Sequence, residues 1–160
     1  MLNSAQLATL RAEILASSDP AVVAARAIRN DSGLAEIYNA NTTTIVWKSS
    51  VTAAAVGEAM RSSEVAGLTT ANTNRLMVMV QYSGGAFSPS RADTRAGFDD
   101  VFSGAGGVQT RTALLALWKR PARRIEALFC GVGTDAVPAI LVVEGVLSAG
   151  QIGDAMNNNF

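Results

Sequence analysis

Histidine is absent from all 160 residues, and cysteine occurs only once, at Cys130. Without histidine the chain lacks the commonest general base near neutral pH and the commonest metal ligand, which excludes most hydrolase and metal-site templates. A lone cysteine excludes an internal disulfide. From these absences we predict a protein without catalytic residues, without a bound metal and without a cofactor.

Charged residues and long apolar runs are also scarce. Charged residues make up 16% of the chain, well below the share of about a quarter in typical globular proteins. The 13 basic and 13 acidic residues give a formal net charge of zero, which argues against bulk electrostatic binding to nucleic acid or to an anionic membrane. No stretch approaches the roughly 18 consecutive apolar residues of a membrane-spanning helix, and no leader-like segment opens the chain. We therefore expect synthesis in the cytosol and no membrane association.

Apolar residues recur at spacings of three and four, which is the spacing of one face of a helix. The predicted fold class is mainly α, a compact multi-helix bundle forming one domain over residues 1–150. Helix starts are predicted where a capping residue or a first-turn proline precedes an apolar stripe. These starts are Asn3 or Ser4, Asp19-Pro20, Asp31 or Ser32, Ser50, Thr70 or Asn72, Ser88-Pro89, Thr110 and Pro121.

One of these helices stands out because few of its positions are polar. Leu76, Met77, Met79 and Val80 give it apolar residues on more than one face, which predicts a central position in the core. Gly84-Gly85 is predicted to end it, since glycine tolerates the left-handed conformation of a helix terminus.

Two segments have β character. Thr42–Trp47 is predicted to be either a strand or an ordered linker, because threonine, β-branched residues and tryptophan suit an extended backbone. Ile140–Leu147, which follows Pro138, is the best strand candidate and predicts a short C-terminal strand or hairpin. Residues 151–160 are predicted to form a C-terminal tail.

Five basic residues fall within 14 positions that contain no acidic residue. They are Arg111, Lys119, Arg120, Arg123 and Arg124. One interpretation is a solvated surface on either side of Pro121. The other is contact with an acidic partner surface or with nucleic-acid backbone, where arginine forms forked contacts with carboxylates and phosphates.

The order of features after Gly84 resembles small helical proteins encoded among the virion structural genes of tailed bacteriophages. The likeness covers roughly residues 68–130 and consists of helix anchors and breaks. The residues that carry it are Gly84-Gly85, Ser88-Pro89, Arg95, Phe98, Val101-Phe102, the glycine-rich break at 104–107, Thr110-Arg111, Leu114, Leu117, Arg120, Ala122, Arg124 and Glu126.

The resemblance implies a non-enzymatic virion protein, and among such proteins a head–tail connector or adaptor subunit that assembles as a homo-oligomeric ring on the portal. The implied partners are portal, tail or capsid proteins, with nonspecific proximity to DNA and no membrane. The five basic residues are then candidate partner-binding residues. Ile140 and Val142 join them, because the strand candidate and the Asn157–Asn159 tail suit strand addition or folding on a partner.

Three alternatives remain open. A capsid-decoration or minor tail protein would differ in copy number and in location on the particle. A small intracellular DNA-binding regulator would use the helix pair over 110–129 as a helix-turn-helix. An enzyme without histidine would use Asp99, Asp100 or Glu126 together with an arginine in a convergent cleft.

Overall fold

A computed structural model describes residues 2–158 of the chain. This part of the chain is mainly helical, which confirms the predicted fold class, and it contains ten α-helices and four short strands. The helices are α1 (Ser4–Ala16), α2 (Pro20–Ala27), α3 (Asp31–Asn39), α4 (Ala53–Ala59), α5 (Ser62–Ala66), α6 (Thr70–Tyr82), α7 (Ala92–Val101), α8 (Val108–Trp118), α9 (Arg124–Cys130) and α10 (Ala149–Asn157). The strands are β1 (Asn41–Trp47), β2 (Val51–Thr52), β3 (Ala86–Phe87) and β4 (Lys119–Arg123).

The chain divides into two compact units, where the sequence predicted one domain over residues 1–150. Unit 1 comprises the residues up to Ile45 and those from Pro121 onward, and unit 2 comprises Val46–Arg120. The division points fall inside β1 and inside β4, which are neighbours in a two-stranded sheet. Each unit has its own hydrophobic core, so each buries the apolar sides of its helices separately.

Unit 1 is built from α1, α2, α3, α9 and α10. Helix α10 contacts α1 and α3, and α3 also contacts α2 and α9. Leu7, Leu10 and Ile14 of α1 are buried, as their spacing predicted. They share the core with Tyr38 and with Ile152 of α10, both of which are fully buried.

Unit 2 is built from helices α4 to α8 and the antiparallel pair β2–β3, in which Val51 lies opposite Phe87. Its core centres on the Phe98 ring, whose centroid lies 5.0 Å from that of Phe87 and 5.3 Å from that of Trp118. Both pairs are edge-to-face, the geometry that aligns the positive edge of one ring with the negative face of another. Helix α4 packs against α8, and α6 packs against α7.

Local capping explains the helix starts that were predicted well. Asn3 and Gln6 form a reciprocal capping box, with each side chain accepting a hydrogen bond of 2.9 Å from the amide of the other residue. Asp19 caps α2 through the Ala21 amide, and Pro20 occupies the first helical position. These signals succeed because they depend on residues three or fewer positions apart.

Two proline-based predictions are wrong. The helix predicted from Ser88-Pro89 begins at Ala92, and the Pro89 carbonyl before it accepts a hydrogen bond from the guanidinium of Arg95 at 2.5 Å. The helix predicted from Pro121 begins at Arg124, because Pro121 lies in β4. By contrast, Thr42–Trp47 is part of β1, which is the strand alternative of the two that the sequence left open.

The C-terminal strand prediction is also wrong. Ile140–Leu147 contains no strand in the structure; it has bends at Val142, Val143 and Gly145. Gly145 has a φ of 137°, which departs from the strand conformation. Strand propensity reflects packing against neighbouring strands. Here the main-chain groups of Gly145 and Leu147 form hydrogen bonds with side chains instead of with a neighbouring strand.

The predicted tail from residue 151 is mostly helical. Helix α10 spans Ala149–Asn157 and is capped by Ser148, whose side chain accepts a hydrogen bond from the Gln151 amide, while the Ser148 amide donates one to Oε1 of Gln151. Its Ile152 and Ala155 have no exposed surface. Part of the predicted Asn157–Asn159 tail therefore belongs to the fold of unit 1, while Asn159 lies outside the described residues.

Candidate functional site

The five basic residues predicted to bind a partner are distributed over both units. Arg111, Lys119 and Arg120 belong to unit 2, while Arg123 and Arg124 belong to unit 1. The guanidinium of Arg111 donates to the carbonyl oxygens of Phe102 and Gly104, the latter at 3.0 Å. Arg111 therefore fastens the loop that follows α7. Lys119 and Arg120 lie at the start of β4 and are half-buried.

Arg123 is part of a buried network in unit 1. Its guanidinium lies 3.2 Å from Oε1 of Glu126, a carboxylate with no exposed surface. The same guanidinium donates to the carbonyl of Gly145 at 3.3 Å, while Glu126 accepts hydrogen bonds from the main-chain amides of Arg123 and Gly145. This network attaches the irregular segment around Gly145 to α9.

Arg124 is the centre of a second cluster in unit 1. Its guanidinium lies 2.5 Å from Oδ2 of Asp19 and 3.5 Å from Oε1 of Glu13, and it stacks over the Tyr38 ring at 4.7 Å. The hydrogen bond from Arg124 holds the pKa of Asp19 below its ordinary value, and burial raises the pKa of the Tyr38 phenol to about 12. Arg111, Arg123 and Arg124 thus stabilise the fold, and a partner-binding role for the five residues stays a prediction.

Ile140 and Val142, the two apolar candidate residues, are largely exposed. Their exposed fractions are 58% and 69%. They belong to an irregular stretch of unit 1 that also exposes Val132, Val137 and Val146, at 93%, 74% and 67%. We call these five residues the exposed apolar segment. Within residues 2–158, none of the five is buried in either core.

A second exposed apolar surface lies on α6 in unit 2, at a helix that the sequence predicts to be central to the core. Met77, Val78 and Tyr82 are exposed at 64%, 52% and 82%, and within α6 only Leu76 is buried. The prediction that this helix is central to the core is therefore wrong. Residues three and four apart share one side of a helix, so Asn74, Met77, Val78, Gln81 and Tyr82 form a continuous surface, which we call the α6 surface.

No family model, no curated protein and no solved structure matches this chain. A function must therefore be argued from its surfaces and its side-chain clusters.

The carboxylates named for an enzyme without histidine belong to different units. Asp100 pairs with Arg75 at 3.2 Å on the surface, and both side chains are more than half exposed. Glu126 is enclosed with Arg123 in unit 1, whereas Asp99 and Asp100 belong to unit 2. Arg95 lies four residues before Asp99, a spacing that suits an ion pair on a helix, but in the described residues its guanidinium stacks over the Trp47 ring at 4.3 Å.

An open groove of about 430 Å³ beside α6 and α7 contains the exposed pair Arg91–Asp93. The hydrogen bond from Arg91 lowers the pKa of Asp93 to about 2. A carboxylate that stays ionised to such a low pH is a poor general acid or base near neutrality. In residues 2–158, no three His, Cys, Asp or Glu side chains are grouped so that they could hold a metal ion. None of the helices in that range has the length and apolar character needed to cross a membrane.

Proposed function

We propose that the chain is a non-enzymatic assembly subunit of a tailed-phage virion, and most specifically a head–tail adaptor subunit that forms a ring on the portal. The observation that carries this proposal is the exposure of large apolar side chains on both units, with Tyr82 at 82% and Val132 at 93% exposed. Contiguous exposed apolar surface on a globular protein marks contact with another macromolecule. The low charged fraction of the chain supports the same role.

Two separate surfaces suit a subunit that contacts more than one neighbour. The α6 surface belongs to unit 2, and the exposed apolar segment belongs to unit 1. A ring needs a heterologous contact, in which a patch on one subunit meets a different patch on the next, and the exposed apolar segment is a candidate for one of these patches. The proposal also includes the five basic residues, through which the subunit would contact an acidic surface of the portal or of a tail protein.

The helix-turn-helix alternative loses support from the local structure. A helix-turn-helix joins its two helices by a turn of about three or four residues. Between α8 and α9 the chain instead forms the five-residue strand β4. The predicted pair over 110–129 therefore lacks the connection that places a recognition helix in the major groove.

Quantitative mass spectrometry of purified particles from the encoding phage tests the adaptor role, with the major capsid protein as the internal standard. A ring-sized copy number, far below that of the capsid protein, is the expected result. An abundance close to that of the capsid protein would indicate decoration instead. Absence from the particle would overturn the virion assignment as a whole.

Particle incorporation also tests the exposed apolar segment. We expect the double substitution Ile140→Ser and Val142→Ser to reduce incorporation without unfolding the chain, because both side chains are largely exposed. Val23→Ser on α2 is the matched control, since Val23 is an exposed apolar residue of the same unit at 38%. Equal incorporation of both variants would argue against a contact through Ile140 and Val142.

A further inference from the structure

The α6 surface has a composition that suits a partner with the same composition. Its outward residues are Asn74, Met77, Val78, Gln81 and Tyr82, none of which carries a charge. The nearest charge on the helix is Arg75, which is paired with Asp100 at 3.2 Å. A second copy of this surface would therefore meet no repulsion between like charges.

The order of these residues along α6 is also symmetrical. Asn74 and Gln81 lie at equal sequence distances from the midpoint between Met77 and Val78. When two copies of α6 pack antiparallel about that midpoint, Met77 faces Val78 of the second copy and Asn74 faces Gln81 of the second copy. Such a pairing about a twofold axis is isologous, since each contact occurs twice.

Both ends of this pairing are chemically complementary. The side-chain amides of asparagine and glutamine each carry two N–H donors and one carbonyl acceptor, so an Asn–Gln pair forms reciprocal hydrogen bonds. Within residues 2–158, the structure records no hydrogen bond made by the Asn74 or the Gln81 side chain. Formation of the antiparallel pair would also bury the central Met77 and Val78, and this burial contributes the hydrophobic part of the free energy of association.

We propose that the α6 surface binds the α6 surface of a second copy of this chain in the antiparallel register, so that the protein forms a twofold dimer. The inference builds on the proposed assembly role by naming the occupant of one of its two surfaces. A twofold dimer is closed, so a ring would form through a separate heterologous contact, in which the exposed apolar segment meets a different patch of the next subunit.

The full chain is examined by sedimentation equilibrium, and the key comparison is between two double variants. In the antiparallel register, Asn74→Lys with Gln81→Glu places opposite charges together at both ends of the interface, whereas Asn74→Lys with Gln81→Lys places like charges together. We expect the complementary variant to dimerise at least about tenfold more tightly than the like-charged variant at low salt, with a smaller difference at high salt.

Single substitutions separate the α6 surface from a general effect of surface charge. Met77→Lys is expected to give a folded monomer, while Leu15→Lys, at an exposed apolar position of α1 (46%), is expected to leave the dimer intact. Circular dichroism checks that both variants are folded. If Met77→Lys does not fold, the comparison between the two double variants still decides the question.

Three results would overturn the inference. The first is a wild-type chain that stays monomeric at about 200 μM, well above the micromolar range in which small interfaces dissociate. The second is equal association of the two double variants, and the third is stronger association of the like-charged one. A monomer that is nevertheless found in particles would leave the adaptor role intact, so the failures of the two proposals are distinguishable.

Discussion

The carboxylate of Glu64 caps α8 from a separate helix: its Oε2 accepts a hydrogen bond from the main-chain amide of Thr110 at 2.7 Å. Its Oε1 accepts a second one from the amide of Gln109 at 3.0 Å. The first turn of α8 has no acidic residue of its own. Glu64 on α5 therefore satisfies two amides that would otherwise lack a partner at the start of α8. Thr110, predicted to be an N-cap, lies inside the helix and is fully buried.

This cap predicts an acid-dependent loss of stability. The hydrogen bonds from Thr110 hold the pKa of Glu64 below its ordinary value. A group whose pKa is lowered in the folded state stabilises the fold above its unfolded pKa, and that stabilisation is lost as the pH falls through the folded pKa. We expect the free energy of unfolding to fall below about pH 4.3, and to fall less steeply in Glu64→Gln. Urea unfolding at a series of pH values measures this slope.

Glu58→Gln is the matched control for the acid-dependent prediction. Glu58 is an exposed glutamate of α4 in the same unit, and within residues 2–158 its side chain makes no recorded hydrogen bond. Glu58→Gln therefore removes one carboxylate from the same unit without removing a capping hydrogen bond, and it measures the general effect of losing a carboxylate. An acid limb of Glu64→Gln as steep as that of the wild type would show that the cap contributes nothing to the pH dependence.

Removing the buried carboxylate of unit 1 should be costly. Glu126→Ala leaves the guanidinium of Arg123 and the amides of Arg123 and Gly145 without their acceptor. We expect a loss of about 1–3 kcal/mol in the free energy of unfolding, the usual cost of leaving buried donors without an acceptor, because the Arg123 side chain keeps 32% of its surface exposed to water. Urea denaturation measures it, with Glu36→Ala on the exposed side of α3 as the control. A loss below about 1 kcal/mol would mean that water replaces the carboxylate at little cost.

A glycine at position 29 should stabilise the protein. Arg29 has a φ of 53° at the end of α2, where the amides of Arg29 and Asn30 bond back to the carbonyls of Arg26 and Ala25. This hydrogen-bond pattern places a left-handed residue after the helix, which is usually glycine. We expect Arg29→Gly to raise the free energy of unfolding by about 0.5–1 kcal/mol, measured by thermal and urea unfolding.

Arg29→Ala separates the backbone effect from the loss of the arginine side chain. Alanine keeps the Cβ atom that is responsible for the strain, so no gain is expected. A gain of the same size in both variants would assign the effect to the side chain instead.

Gly133 should not tolerate even one added methyl group. A Cβ atom at this position would lie 2.1 Å from the carbonyl oxygen of Ile45 and 2.6 Å from the amide nitrogen of Ala139. These two groups already hydrogen-bond to each other at 2.9 Å, and the Ile45 amide donates to the Gly133 carbonyl at 3.0 Å. We expect Gly133→Ala to cost about 1–3 kcal/mol, the range for forced backbone shifts in a packed site.

Gly150→Ala, in the first turn of α10, is the control for Gly133→Ala. Its Cβ would lie in ordinary contact with the Ser148 hydroxyl at 3.7 Å. A neutral effect or a gain of about 0.5 kcal/mol is expected, because alanine is the better helix former. Chemical denaturation of the two variants gives the difference directly, and equal stabilities would contradict the close approach at Gly133.

Signals carried by residues close together in the chain were readable from the sequence. Asn3 with Gln6 and Asp19 with Pro20 start α1 and α2 by bonds within one helical turn. Gly84-Gly85, with φ values of 61° and 87°, follows the end of α6 as predicted. The capping box of Ser148 and Gln151 is a signal of the same kind, and attention to it would have predicted α10 in place of a tail.

The candidate surfaces were less accessible to sequence reasoning. The leucine, methionine and valine residues of α6 predict a core helix. Composition alone, however, does not determine which sides of a helix pack against other elements. Within α6, Leu76 is the residue buried in unit 2, and Met79 is packed against the same core. The α6 surface therefore exists because unit 2 covers one side of that helix and leaves the other exposed.

The sequence by itself determined the helical character of the chain, the starts of α1, α2 and α6, and the lack of histidine chemistry, because those properties depend on composition and on contacts within a turn. Only the tertiary structure decided which apolar residues stay exposed and which arginines are engaged inside the fold. Arg123 and Arg124 are adjacent in the chain, yet one binds Glu126 and the other binds Asp19, 105 positions away. Such pairings are set by which helices pack together, and that choice minimises exposed apolar area over a whole unit rather than over any local window.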